Sequence, residues 1–328
     1  MRKPALASLL VALAAPAALA APPTAAELVR RVPEAASAVV AIDGAALRAQ
    51  PAVHAWLVRQ RALHVTDCDG RRFFDDAGLD PLRDVDVAVI AAVPDGERTG
   101  GVALLAGRYD TAALGAALAK RGAQPFTIAG APAYRLASDH ESGGPAVVAL
   151  PSSELVVVGD EAAVALTLAA PHALPELAAA EVGAGRLDVG APFWLVATVP
   201  AAAAAHARAA AERVHGEGAE GVRGALFASG AVRRVVAQAT LGDALKFSGT
   251  AIADTPENAE LLRDTIKGAI AAARLHFEAS EPELVGALRG VEVRLHGPVV
   301  TVTGEVPVAL IERLAAEHGA SHREPHRR

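Results

Sequence analysis

Three histidines near the end of the chain have a spacing that could hold a transition metal. His318, His322 and His326 lie four residues apart, so one continuous helix would place their imidazoles on a single face. A glycine and a proline between them disfavour such a helix. The sequence therefore predicts a polar His/Arg-rich tail over residues 318–328, and we assign no metal ligand to it.

A glycine-rich segment has the spacing of a dinucleotide-binding loop. Gly216 to Gly221 reads GEGAEG, in which the glycines would let the backbone approach a pyrophosphate. In dinucleotide-binding proteins this loop follows a strand, whereas here it follows an alanine-rich helical segment. Glu217 and Glu220 would also repel phosphate. We interpret the segment as a connection between helices and predict no cofactor.

A run of aspartates suggests a cation site, because calcium prefers clustered carboxylates. The run consists of Asp67, Asp69, Asp75, Asp76 and Asp80. Gly70 comes too early for the usual calcium loop, and Arg71 stands where an oxygen ligand is expected. Loop solvation and helix capping are the better interpretation.

Asp139-His140-Glu141 places a base between two acids, but it lies in a Ser/Gly-rich stretch typical of a surface loop. The chain contains no Ser-x-x-Lys, Gly-x-Ser-x-Gly or His-Glu-x-x-His pattern. We therefore assign no catalytic residue. A hydrolase whose acid and histidine residues converge only in three dimensions stays open as an alternative.

The N-terminus has the pattern of a secretory signal peptide over residues 1–20. Arg2 and Lys3 precede a short apolar run that ends in Ala18-Leu19-Ala20, small residues at the spacing of a cleavage site. The run is too short for a membrane span, which needs about 20 residues. The sequence predicts cleavage near Ala20, a linker over residues 21–31, and a soluble periplasmic or secreted protein with no stable membrane span.

Composition limits the partners of that protein. Without Arg2 and Lys3, 29 basic residues face 37 acidic ones, which leaves a formal charge of −8. This charge disfavours nucleic acid, and an aromatic content of 3% leaves few stacking surfaces. Cys68 is the only cysteine, so no intramolecular disulfide can form. Stability must come from a core of Ala, Val and Leu.

The order strand, helix, hairpin, helix, hairpin, helix occurs twice and predicts an internal duplication. We expect a first module over residues 32–185 and a second over residues 186–317. In the first module a strand at 38–42 leads into a helix over 45–63, and an extra piece at 126–136 precedes the last hairpin.

Alternation in the second module indicates how its sheet is covered. Val235, Ala237, Ala239 and Leu241 alternate with polar residues, and Gly242-Asp243 after them is a signal for a tight primed turn into the next strand. One apolar and one polar face are typical of an antiparallel sheet. The predicted fold class is α+β, with two related modules, each an antiparallel sheet with helices packed on one face.

Four segments of the chain resemble the corresponding segments of a group of uncharacterised exported bacterial α+β proteins. The segments are the strand exit at Ala38 to Gly44, the Gly78-Leu-Asp-Pro turn that runs to Asp86, the segment Gly100 to Asp110, and the late hairpin at Leu155 to Gly159. That group has no assigned activity. The resemblance therefore implies an architecture and an export route, but no site residues.

Together these features favour a non-enzymatic role in binding or in envelope assembly. The expected partners are an envelope protein or a small apolar ligand, because small-residue helices and exposed sheet faces accompany the absence of catalytic motifs. The alternative is the extracytoplasmic hydrolase described above.

Overall fold

The computed structural model describes residues 22–51, 53, 77–95, 98–136, 146–169, 173–213 and 228–321. The predicted signal peptide at residues 1–20, Cys68 with the aspartates around it, Asp139-His140-Glu141, the glycine-rich segment at 216–221, and both His322 and His326 lie outside these residues. The predictions made on them remain predictions.

The strands form one antiparallel sheet in the order β11-β12-β10-β9-β8-β1-β2-β3-β7-β6-β5-β4. The first seven are β1 (Ala38–Asp43), β2 (Val85–Asp95), β3 (Arg98–Gly107), β4 (Gln124–Ile128), β5 (Ala131–Arg135), β6 (Ala146–Ser152) and β7 (Leu155–Asp160). The other five are β8 (Phe193–Thr198), β9 (Val232–Leu241), β10 (Ala244–Ala253), β11 (Glu292–His296) and β12 (Val299–Pro307).

Ten helices connect or flank these strands in the described part of the chain. They are α1 (Ala25–Val29), α2 (Gly44–Arg48), α3 (Pro81–Asp84), α4 (Thr111–Lys120), α5 (Glu161–Leu168), α6 (Glu176–Gly183), α7 (Ala201–Arg213), α8 (Pro256–Phe277), α9 (Pro282–Arg289) and α10 (Val308–Ser321). Within the described residues, none of them combines the length and the hydropathy of a membrane span.

The predicted α+β class is confirmed, and the strand order is the same on both sides of the sheet centre. From β1 outwards the order is β1-β2-β3-β7-β6, and from β8 outwards it is β8-β9-β10-β12-β11. The hairpin of β4 and β5 corresponds to the extra piece expected at 126–136. The two sides join where β1 and β8 pair antiparallel, with Ala38 opposite Ala197 and Ile42 opposite Phe193.

One face of the sheet, which we call face A, carries the largest core. Val39 and Ala41 of β1, Val89 of β2 and Trp194 of β8 are buried there against α1, α5 and α6. Val236 of β9 still belongs to this core, but further out face A of β10 and β12 carries mainly polar side chains. Thr250 and Thr301 are hydrogen-bonding neighbours on it.

The opposite face, face B, is covered by other helices. On the first side α4 packs against Val148 and Val156, and on the second side α8 packs against Val300. Helices thus lie on both faces of the first side, whereas α8 covers face B of the second side. The polar and apolar alternation of β9 and β10 sets this difference, because Gln238, Thr240, Lys246 and Ser248 all point to the open face A.

Four local expectations are corrected. Residues 21–31 are not a linker throughout, because Thr24 and Glu27 form a capping box that starts α1, whose Leu28 and Val29 are in the core. The helix expected over 45–63 is interrupted, since α2 ends at Arg48 just before Pro51. The last helix continues past residue 317 to Ser321. The loop between β9 and β10 is short, but neither of its residues Gly242 and Asp243 has a positive φ, so it is not a primed turn.

A buried carboxylate fastens α6 to the second side of the sheet. Glu181 is fully buried and accepts hydrogen bonds from Arg186 at 2.5 Å and from Arg234 of β9 at 2.6 Å. Burial by itself raises the pKa of Glu181, but the two arginine hydrogen bonds outweigh it, so the pKa lies below its ordinary value. The carboxylate therefore stabilises the fold at neutral pH.

We predict that Glu181→Gln lowers the free energy of unfolding by about 2 kcal/mol at neutral pH. A buried ion pair that loses one partner costs more, but both arginines are partly exposed here. Because the folded-state pKa is lowered, the wild-type advantage is present above the ordinary pKa and is lost as the pH falls through the folded-state value. Urea unfolding at neutral pH and at about pH 3 measures both effects.

Glu176→Gln is the matched control, since Glu176 is exposed on the same helix. It should leave the stability within about 0.5 kcal/mol of wild type. An equal loss in both variants, or a Glu181→Gln deficit that does not shrink in acid, would contradict the structural role of this ion pair.

Candidate functional site

An apolar groove of about 460 Å³ lies on face B near α2 and α10, where β8 and β10 begin and β9 ends. Its floor is the sheet. Phe193 opposes Ala239, and Leu241 opposes Leu245, so alternate positions of three neighbouring strands point to the same side. The floor is therefore apolar because of the same alternation that makes the other face polar.

One wall of the groove comes from Leu47 of α2 and from Val53. The helix follows β1 without a loop, because the side chain of Asp43, the last residue of β1, accepts a hydrogen bond from the amide of Ala46 at 2.8 Å. Gly44 lets the helix approach β2 closely, since a Cβ there would lie 3.1 Å from the carbonyl oxygen of Val85. Leu47 is thus held at the sheet edge.

The other wall comes from Val308 and Ile311 of α10. This helix begins directly after β12, and the amide of Val308 donates to the carbonyl oxygen of Asp243 in the β9 to β10 loop at 3.1 Å. That hydrogen bond brings the start of α10 to the open end of the groove. The corresponding helix of the first side, α5, packs in the face A core instead.

The chemistry of the groove is that of an apolar binding site. Among the described residues that line it, the two polar ones are Thr240, whose side chain points to face A, and Glu312, which is the one charged residue of this set. Cavities of roughly 300–1,000 Å³ with apolar walls and few polar groups are typical of small-molecule sites. The groove can remove an apolar molecule from water by hydrophobic transfer and dispersion.

Few of the residues that stood out in the sequence belong to this groove. Asp80 directly precedes α3, and its amide donates to the side chain of Asp84 at 2.7 Å. His318 lies in α10. No group of three or more His, Cys, Asp or Glu residues suited to a metal occurs among the residues that the structure describes.

Sequence reasoning did not identify the groove, because its residues come from segments far apart in the chain. Ala239 and Leu241 were expected on the apolar face of their hairpin, which was the one available signal. That β8 pairs with β9, and that α10 turns towards Leu245, follow only from the tertiary structure.

Comparison with known proteins supports the fold of this chain but assigns no function to it. No protein family and no curated protein matches the chain. Among solved structures, the chain is similar to crystal form III of TP0453, with a TM-score of 0.50 and 11% identity over 88% of this chain and 96% of that one. Crystal form IV gives a TM-score of 0.46 with 11% identity, covering 88% of this chain and 94% of that one. At this identity the likeness to form III shows a shared fold alone.

Proposed function

We propose that the protein is an exported, non-catalytic binding protein whose groove on face B takes a small apolar ligand. The observation that carries this proposal is the groove itself, with apolar side chains on its floor and on both walls. A groove of this size left filled with water would expose several large apolar side chains, which is unfavourable unless a ligand covers them.

The residues around the groove favour binding over catalysis. Thr240 and Glu312 are the two polar residues among its described lining, and they belong to different elements, β9 and α10. Glu312 stands alone as an acid or base there, so general acid and base catalysis by a pair of groups has no support from this lining. The groove instead offers shape and apolar surface.

We predict that Ala239→Trp weakens binding of an uncharged fluorescent probe, N-phenyl-1-naphthylamine, by filling the groove. Ala239 is a half-buried residue of the floor, so an indole there occupies the space that the probe would take. The expected loss of affinity is at least about tenfold, measured by fluorescence titration.

Ser248→Trp is the control for this substitution, because Ser248 lies in the neighbouring strand but points to the open face A. It should bind the probe like wild type. Equal binding by wild type and both variants would show that the probe sits elsewhere, and no binding by wild type would remove the support for a ligand site.

Export is the second part of the proposal and rests on the signal-peptide pattern of residues 1–20. When the full chain is expressed in a Gram-negative host, we expect the protein in the periplasmic fraction with Ala21 as its first residue. Intact mass spectrometry of that fraction measures this. An uncleaved chain retained in the cytoplasm would contradict export without affecting the groove.

A further inference from the structure

A cleft of about 250 Å³ beside the groove brings three arginines together. We call it the arginine cleft. It is lined by Arg48 of α2, Arg83 of α3 and Arg108 directly after β3, together with Asp84 and Asp86. Three cations from three separate segments meet at the edge where β2 begins and β3 ends.

The backbone at this edge is packed closely enough to fix the position of Arg108. A Cβ on Gly107 would lie 1.8 Å from the carbonyl oxygen of Asp84, so only glycine fits there. The amide of Arg108 then donates to that same carbonyl oxygen at 3.0 Å. The backbone of Arg108 is therefore held against the segment that contains Arg83 and Asp84.

The charges in the cleft do not balance. Arg48 donates to the carbonyl oxygen of Val85 at 2.6 Å and pairs with Asp86. Arg83 pairs with Asp84 at 2.7 Å, and this hydrogen bond holds the pKa of Asp84 below its ordinary value, so the carboxylate stays ionised.

Arg108 is the third arginine of the cleft and is not paired with either of its two aspartates. Among the residues that the structure describes, its guanidinium has no hydrogen-bonding or ion-pair partner, and its side chain is exposed. With the other two arginines paired, the cleft carries one excess positive charge. An arginine beside such a cleft is suited to bind a carboxylate or a phosphate through two parallel hydrogen bonds.

The cleft and the groove share a wall. Leu47 lines the groove and the next residue, Arg48, lines the cleft, so the short helix α2 stands between them. Ile42 opposes Phe193, and Asp43 opposes Val87, which places the groove floor and the start of β2 at the same level of the sheet. β1 separates the floor from β2, and β1 and β2 separate it from the end of β3 that Arg108 follows, so the distance is two to three strand spacings, roughly 10–15 Å.

We propose that the ligand of the groove is an anionic amphiphile, with its apolar chain in the groove and its carboxylate or phosphate in the arginine cleft. This inference rests on the proposed function. The separation of about two to three strand spacings is within reach of a medium-length alkyl chain together with the long arginine side chain. Glu312 lies at the α10 side of the groove and would repel an anionic head there, which favours the opposite orientation.

Displacement of the naphthylamine probe by three ligands of equal chain length tests the inference. Undecanoate, decyl phosphate and decan-1-ol each carry a ten-carbon alkyl chain and differ in the head group alone. We expect at least one of the two anions to bind with about tenfold higher affinity than decan-1-ol, as measured by displacement of the probe. This difference in affinity should decline as the salt concentration is raised. The better of the two anions identifies the head group as carboxylate or phosphate.

Arg108→Gln should remove this advantage and leave the affinity for decan-1-ol unchanged. Arg289→Gln is the control, since Arg289 is exposed at the end of α9, away from the cleft lining. Equal affinity for the anions and the alcohol, or an advantage that survives Arg108→Gln, overturns the inference while the groove remains a binding site. The proposed function itself fails if none of the three ligands displaces the probe. It also fails if the Ala239→Trp variant binds all three ligands with wild-type affinity.

Discussion

The antiparallel pairing of β1 with β8 is the contact on which the rest of the architecture depends. It joins strands that begin more than a hundred residues apart in the chain into the centre of one sheet. Because antiparallel neighbours keep their side chains on common faces, the pairing also aligns face A and face B across both sides. Trp194 thereby enters the same core as Val39, and Glu181 can reach Arg234 in β9. The two sides are thus parts of one packed unit, with the strand order repeated outwards from its centre.

The site arises where that repetition ends. On the first side the helix after the last strand, α5, packs in the core of face A, whereas α10 after β12 lines the groove on face B. This difference leaves the second side with a polar, open face A and concentrates apolar side chains around the end of β9 on the other face. The short helix α2 adds the remaining wall and, through Arg48, connects the groove to the arginine cleft.

Local sequence patterns were sufficient to predict many of the strands and helices. The alternation in β9 and β10 predicted their strands and their two faces correctly, and the repeated order of elements agrees with the repeated strand order. The sequence analysis did not predict the interruption of the helix after β1, which comes just before Pro51. It also did not predict helix α1, because the capping box of Thr24 and Glu27 lies in a proline-containing segment that was interpreted as a linker. The groove and the cleft could not be predicted, since both depend on long-range pairings that no local spacing encodes. Family membership and the module boundary near residue 185 stay predictions.

The most direct measurement of the central claim is a crystal structure of the protein with ω-bromodecanoate, using the anomalous signal of bromine. The account predicts one bromine peak in the groove, between Phe193 and Ile311, and density for the carboxylate beside Arg108. A peak on another surface, or a carboxylate next to Glu312 with the bromine in the arginine cleft, would contradict it.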